Sequence, residues 1–321
     1  LNLIYTNNWP NLEIGKCRYG LMLKDDGMVM DDGVTSKLGN DHFHMTTTTG
    51  GAANVLSWLE EWLQTEWPSL KVYLTSVTES WSVASISGPK AREILKASNC
   101  TIDLSNDNFE FMSFKNGFIN DIPVRIFRIS FTGELSFEIN TPARYGLKLW
   151  ETLMDAGKNF ELTPYGTESM HVLRAERGFI IVGQETDGSV SPIDLGMDWI
   201  VSKKKSDFIG KRSLERISMH SNNRKELVGL LSTDPKKVIP EGAHAIETPK
   251  AEFPHGNILG HVTSSYYSPN CRRSIAMALI KGGKSRKGSK VWLPLLNGET
   301  IEAKVVSPVF FDPNGVRKNG I

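Results

Sequence analysis

The chain has 321 residues, 40% of them hydrophobic and 23% charged, which suits two or three packed globular units and excludes a disordered polymer. Lys+Arg 37 against Asp+Glu 36 leaves a formal charge of +1, so no overall field draws the chain to nucleic acid or to anionic lipid. Cys17, Cys100 and Cys271 show no C-x-x-C spacing, which argues against a disulfide framework or structural zinc and predicts a reducing, cytoplasmic setting. No apolar run reaches the length of a membrane span. The first residue is Leu1 rather than Met, and Leu-Asn-Leu-Ile-Tyr reads as the middle of an element, so a piece of a longer polypeptide is expected.

Within residues 18–48, Asp-Asp-Gly occurs at 25–27 and again at 31–33. Asp-Gly between apolar runs predicts hairpin turns at both places. Val55, Leu56, Leu59, Trp62 and Leu63 recur at helical spacing, and Pro68 closes that helix. Residues 70–77 and 81–87 read as strands, and Gly88-Pro89 opens a helix through Ile94 and Leu95. A strand over 124–131 turns at Thr132-Gly133-Glu134 and returns over 135–140. On the return strand Leu135, Phe137 and Ile139 share one face, and Ser136, Glu138 and Asn140 share the other.

An amphipathic helix covers 144–156 and ends at Gly157. A second runs from about Thr167 to Arg177, is stopped by Gly178, and sets Glu168, His171 and Arg174 on one side. After Lys211-Arg212 the composition shifts, and residues 218–260 are polar and rich in Pro, Gly and Lys. Short strand-like runs at 260–264, 274–280, 290–295 and 301–306 then predict a small C-terminal β-barrel or jelly roll. Helices and strands otherwise mix without a βαβ rhythm, so the fold class is α+β.

Few motifs carry chemistry. Ala278-Leu-Ile-Lys-Gly-Gly-Lys-Ser285 misses the first glycine of a phosphate-binding loop, and Arg286-Lys287-Gly288 does not open a helix. No G-x-G-x-x-G follows a strand. His42 and His44 alternate on a strand, but no carboxylate completes a ligand set, so no metal is expected. Lys203-Lys204-Lys205 reads as a solvated turn. The remaining candidates are modest. Asp31-Asp32 sits in a predicted turn where adjacent carboxylates raise each other's pKa, Glu138 is the one acid on its strand face, and Arg174 projects from a mostly apolar helix. On residues alone each keeps its ordinary alternative: turn aspartates, a solvent-facing strand acid, a structural ion pair.

Several segments match a known pattern in order and at consistent spacing. They are Gly-Lys-Cys-Arg-Tyr-Gly-Leu-Met-Leu at 15–23, Gly-Met-Val-Met-Asp-Asp-Gly at 27–33 and Thr-Thr-Thr-Thr-Gly at 46–50. The series continues in Ser-Phe-Thr-Gly-Glu-Leu-Ser-Phe-Glu-Ile at 130–139 and Thr-Pro-Tyr-Gly-Thr-Glu-Ser-Met-His-Val-Leu-Arg-Ala-Glu at 163–176. It ends in Gly-Gln-Glu-Thr-Asp-Gly at 183–188, Gly-Met-Asp-Trp-Ile-Val-Ser-Lys-Lys-Lys at 196–205 and Gly-His-Val-Thr-Ser-Ser at 260–265. Together they resemble the aminomethyltransferase (glycine-cleavage T-protein) family of folate-binding proteins. Within it they resemble most the C-terminal part of the alpha subunits of heterotetrameric sarcosine oxidases.

The resemblance implies a three-lobed fold around an opening that holds tetrahydrofolate. Its first lobe would be 1–47 plus 140–225 with an N-terminal segment missing, its second 48–139, and its last a jelly-roll-like β-domain over 226–321. It implies that Glu138 accepts the N3–H and 2-amino hydrogen bonds of the pterin. Asp32 would be catalytic, positioning N5 and favouring charge that develops during one-carbon transfer, while Phe131, Arg174 and Trp199 would line the cofactor pocket. Phe131 stands where the family commonly has Tyr, and Val182 replaces a Tyr that often follows the helix. The implied reaction captures the iminium from sarcosine oxidation, giving 5,10-methylenetetrahydrofolate and glycine. FAD, FMN and NAD would lie elsewhere in a complex with beta, gamma and delta subunits, because this chain has no part that resembles a flavin- or dinucleotide-binding domain. Two other readings stay open: a free-standing aminomethyltransferase or folate-dependent demethylase, and a non-catalytic folate-fold module.

Overall fold

The computed structural model of the chain describes residues 1–249 and 258–320. Strands β1 (Cys17–Leu23), β2 (Val29–Lys37) and β3 (Phe43–Met45) lead into helix α1 (Ala52–Thr65). They are followed by β4 (Trp81–Ser87), α2 (Ala91–Ala97), β5 (Ser113–Ile119), β6 (Ile122–Arg128), β7 (Ser136–Pro142), α3 (Gly146–Gly157) and α4 (Thr167–Glu176). The one-turn helix α5 (Lys211–Leu214) precedes β8 (Lys225–Ser232), β9 (His244–Ile246), β10 (Ile258–Ser268), β11 (Arg273–Lys281), β12 (Lys290–Pro294) and β13 (Thr300–Val306). The class is α+β. The chain packs as two units, the first Leu1–Pro10, Gly20–Asp32 and Gly166–Asn314, the second Asn11–Tyr19, Gly33–Tyr165 and Gly315–Ile321. Among the described residues no helix is long and apolar enough to cross a membrane.

The second unit is built on an antiparallel sheet in the order β4-β7-β6-β5. Alternation along β7 sends Phe137 and Ile139 to one face, where Ile86, Ile126, Leu95 of α2 and Leu149 of α3 close a core. Helix α3 shows why this works: Leu149 and Leu153, four residues apart, are buried, while Leu147 and Trp150 face outward. The other sheet face carries Glu138, with Ser85 of β4 and Phe127 of β6 directly opposite it. Cys17, Phe114, Phe127 and Ile129 pack together on that side, against Val34 and Leu38. Residues 70–77, expected as a strand, are irregular. Leu70, Val72 and Tyr73 are exposed there, and the Val72 N–H bonds only to the nearby Leu70 carbonyl. Among the described residues no neighbouring strand accepts its backbone groups, and β-propensity alone forms nothing.

The first unit contains a closed six-stranded barrel, β10-β11-β8-β13-β12-β9, filled by Val228, Leu230, Val262, Ile280, Leu293 and Val305. Closure removes the free edges that an open sheet of short strands would expose. The polar stretch 218–260 supplies two of its strands, β8 and β9, which its composition does not announce. The two Asp-Asp-Gly sequences also part company. The one at 25–27 turns the chain between β1 and β2, as expected, whereas Asp31, Asp32 and Gly33 lie inside β2. Strand neighbours point to opposite faces: Asp31 is buried and Asp32 half-buried, so no turn draws the two carboxylates together. The glycine there serves close packing, since a Cβ on Gly33 would lie 1.8 Å from the Thr46 carbonyl oxygen.

Gly260 has the same duty in the barrel. A Cβ on it would lie 1.7 Å from the Leu279 carbonyl oxygen, beside a register irregularity between Ile258 and Gly260. Gly260→Ala should therefore cost about 2 kcal/mol or more by forcing two strands apart. A lowered urea midpoint is the expected result, and an unchanged midpoint would show that this contact is not tight.

Candidate functional site

Glu138 is the acid that the fold isolates. Its strand β7 holds it half-buried between Ser85 and Phe127, close enough to Cys17 for the two charges to act on each other. Its carboxylate makes no hydrogen bond or ion pair among the described residues. Burial pushes its pKa up from 4.5 to about 7, because a poorly solvated setting disfavours the charged form. The Cys17 thiol is pushed up to about 11, first by burial, against a hydrogen bond from Ser36 Oγ at 3.1 Å and with a further push from Glu138. A carboxyl poised near neutrality with both oxygens uncommitted is a ready acceptor for paired N–H donors.

Around it the second unit gathers aromatic and polar groups. His44 of β3 stacks on Phe127 at 5.9 Å and meets Trp81 edge-on at 6.4 Å. The Arg125 guanidinium lies 5.2 Å from the Trp81 ring centroid and 5.7 Å from that of Phe114, and its Nε donates to Asn116 Oδ1 at 3.0 Å. Asn140 sits directly across from Arg125 on the neighbouring strand. Burial, and then the Arg125 and His42 charges, lower the pKa of His44. Sequence reasoning missed His44, Arg125, Phe127 and Trp81 as a group. The available signal was the period of two, which puts Arg125 with Phe127 on β6 and Glu138 with Asn140 on β7. That these faces coincide is a matter of register.

The other expected site residues fall as follows. Phe131, in the second unit, is half-buried in the turn after β6. Asp32 belongs to the first unit, and its backbone N–H is held by Asp31 Oδ1 at 2.8 Å. Arg174, also in the first unit, is completely buried. Its Nη1 donates to Glu185 Oε2 at 2.8 Å and to the Phe179 carbonyl at 2.9 Å, and its Nη2 to Gln184 Oε1 at 2.9 Å and Ser264 Oγ at 2.6 Å. Glu185 in turn accepts from Thr263 Oγ1 at 2.9 Å and from the Ile181 N–H at 2.8 Å. Only Nε of Arg174 is left without a partner. Val182 stands half-buried in the same loop, and Trp199 is 71% exposed in a short 3-10 turn. A surface cavity of about 900 Å³ in the first unit, lined by Val190, Ile217, His220 and Arg224 among others, contains none of these residues. Among the described residues no cluster of three or more His, Cys, Asp and Glu is placed to hold a metal ion.

Comparison with known proteins agrees with this architecture. The family model of the GCVT N-terminal domain matches residues 1–205, and that of the glycine cleavage T-protein C-terminal barrel domain matches residues 225–312. The chain is 51% identical over its full length to a sarcosine oxidase subunit alpha from Corynebacterium sp. (strain P-1), covering 33% of that protein. It is 42% identical to the subunit alpha of Rhizobium meliloti (strain 1021), covering 32% of it. The chain thus spans about a third of the length of these relatives. An aminomethyltransferase from Thermoanaerobacter sp. (strain X514) is 30% identical over 98% of the chain and 80% of its own length. In fold, the chain matches the crystal structure of the glycine cleavage system aminomethyltransferase T from Bartonella henselae, with a TM-score of 0.82 at 23% identity over 97% of this chain and 80% of that one. With both family domains in order and their barrel present in the structure, the chain belongs to the glycine cleavage T-protein (aminomethyltransferase) family.

Proposed function

We propose that the chain is the tetrahydrofolate-dependent one-carbon transfer part of a sarcosine oxidase alpha subunit, taking the iminium from sarcosine oxidation to 5,10-methylenetetrahydrofolate and glycine. The observation that carries this reading is Glu138, a desolvated carboxylate with no protein partner among the described residues, on a face lined by Phe127, Phe114 and His44. These residues fit a pterin. One carboxylate can accept its adjacent N3–H and 2-amino groups, and aromatic side chains suit its flat ring. When bound, tetrahydrofolate supplies N5 as the nucleophile for the one-carbon unit.

The chain's own residues divide the rest of the work. Asp32, its backbone fixed by Asp31, offers a carboxylate that stabilises positive charge developing during transfer. Arg174 is a positioning residue: its hydrogen bonds tie α4 to the 179–185 loop and to β10. Trp199 offers an exposed indole as an aromatic wall, and Phe131 does so without the hydroxyl of a tyrosine. Oxidation of sarcosine, with FAD, FMN and NAD, is assigned to the beta, gamma and delta subunits and to the remaining two thirds of the alpha subunit, in the cytoplasm. The 80% coverage of an aminomethyltransferase keeps a free-standing transferase as the second reading, and the higher identity to the alpha subunits, 51% against 30%, favours the first.

Calorimetric titration of the chain with tetrahydrofolate tests the assignment, and one site per chain is the expected result. Glu138→Gln should weaken that binding about tenfold or more, since an amide loses the charge and accepts from only one of two donors. Equal affinities would remove Glu138 from the site. The same substitution has a stability signature that needs no ligand. Native Glu138 keeps its proton up to about pH 7, whereas the unfolded chain loses it near 4.5. Stability therefore falls as pH rises between these values, by about 3 kcal/mol at most. Glu138→Gln should unfold at a higher temperature than the parent at pH 8 and at about the same temperature at pH 4; the reverse order would contradict the burial described. Asp32→Ala should cripple methylenetetrahydrofolate formation while leaving folate binding within about tenfold, roughly 1.4 kcal/mol. Unchanged turnover would sink its role in transfer.

A further inference from the structure

Beside Glu138 the same sheet face holds two more polar groups that the protein leaves uncommitted, Arg125 and Asn140, and His44 of β3, from a separate sheet, packs on Phe127 of that face. Arg125 uses Nε on Asn116, but Nη1 and Nη2 make no hydrogen bond and face no ion-pair partner among the described residues. Asn140 is only 8% exposed, yet its carboxamide has no hydrogen bond among the described residues. Neither ring nitrogen of His44 has a hydrogen-bond partner among them either. Arg125 and His44 are half-buried, and the open polar atoms of all three side chains reach solvent, so a ligand can reach them as well. An arginine that simply stacks on aromatics does not explain why its fork, the amide directly across from it and the nearby imidazole all stay open.

We propose that Arg125, Asn140 and His44 form a subsite for a carboxylate, next to the N–H acceptor Glu138. The guanidinium plane is held between Trp81 and Phe114, which fixes the fork that grips a carboxylate through two parallel hydrogen bonds. Asn140, directly across from Arg125, adds a neutral donor, and the His44 ring offers another N–H. A single positive charge with neutral donors matches a monoanion. Ionised Glu138 repels a carboxylate from its own end of the face, so the two ends sort a ligand by charge: N–H donors go to Glu138 and the anionic group goes to Arg125. The subsite deepens the folate reading, and its ligand has two possible sources with the same chemistry. One is a glutamyl carboxylate of tetrahydrofolate, the other the carboxylate of the amino acid that gives up the one-carbon unit.

Arg125→Gln separates these cases in three titrations: tetrahydrofolate and 6-methyltetrahydropterin by calorimetry, and glycine by the NMR shifts of the His44 ring. The subsite predicts that 6-methyltetrahydropterin, which carries no carboxylate, binds parent and variant alike. A loss of about tenfold or more in tetrahydrofolate affinity alone assigns the subsite to the glutamyl end. A glycine-induced His44 shift that is present in the parent and gone in the variant assigns it to the amino acid. Unchanged behaviour toward both tetrahydrofolate and glycine overturns the proposal. If the parent binds no tetrahydrofolate, the folate reading fails separately, and the glycine titration still decides the subsite. Should Arg125→Gln fold poorly, Asn140→Leu removes a donor outside the aromatic stack and must show the same selective loss.

Discussion

A strand cannot choose which face each side chain occupies once its neighbours are buried, and Glu138 is held by that constraint. β7 is hydrogen-bonded on both sides, to β4 and to β6, and Phe137 and Ile139 on either side of Glu138 are fully buried in the core. A slip by one residue would carry Glu138 away from its desolvated face, but it would also pull Phe137 and Ile139 into water. Each of those side chains is worth about 1.5–3 kcal/mol of burial, so the core outweighs the strain of one poorly solvated acid. The site is rigid because the hydrophobic pattern that folds the sheet is the pattern that aims the carboxylate.

The chain treats charge removed from full solvation in two ways. Arg174 and Glu185, both fully buried, saturate one another and also engage Gln184, Ser264, Thr263 and backbone groups. Arg224 and Asp194 do much the same with two short contacts. Such pairs cost more to break than they add in isolation, so they brace a fold without being open to a ligand. Arg125 and Glu138 have opposite charge and share one sheet face on adjacent strands, yet they form no ion pair among the described residues. Their separation leaves both open, as the proposed binding surface with a polarity along it requires.

Much of this was legible in the sequence, and the failures have identifiable causes. Leu149 and Leu153 announced α3 by helical spacing, and Glu138 announced its face by strand alternation. The expectation that Arg174 pairs with an acid is met by Glu185. Residues 70–77 misled because β-propensity says nothing about a partner strand. The second Asp-Asp-Gly misled because glycine serves a close approach to Thr46 as readily as a turn. Strands β8 and β9 were hidden by the polar residues around them. His44, Arg125 and Trp81 stayed invisible as a group because they come from three strands distant in sequence: register brings Trp81 and Arg125 to one face, and packing of β3 from a separate sheet brings His44 to them.

The central claim is that Glu138 is a desolvated carboxyl kept open for the N–H donors of a pterin. Its protonation can be followed directly, by the carboxyl carbon resonance of Glu138 in the labelled chain, with Glu138→Gln to assign the signal. The account predicts a midpoint near pH 7 in the free chain, falling well below that value when tetrahydrofolate is added, because donors to the charged form favour ionisation. A midpoint at the ordinary 4.5, or one near 7 that saturating tetrahydrofolate leaves in place, would contradict it.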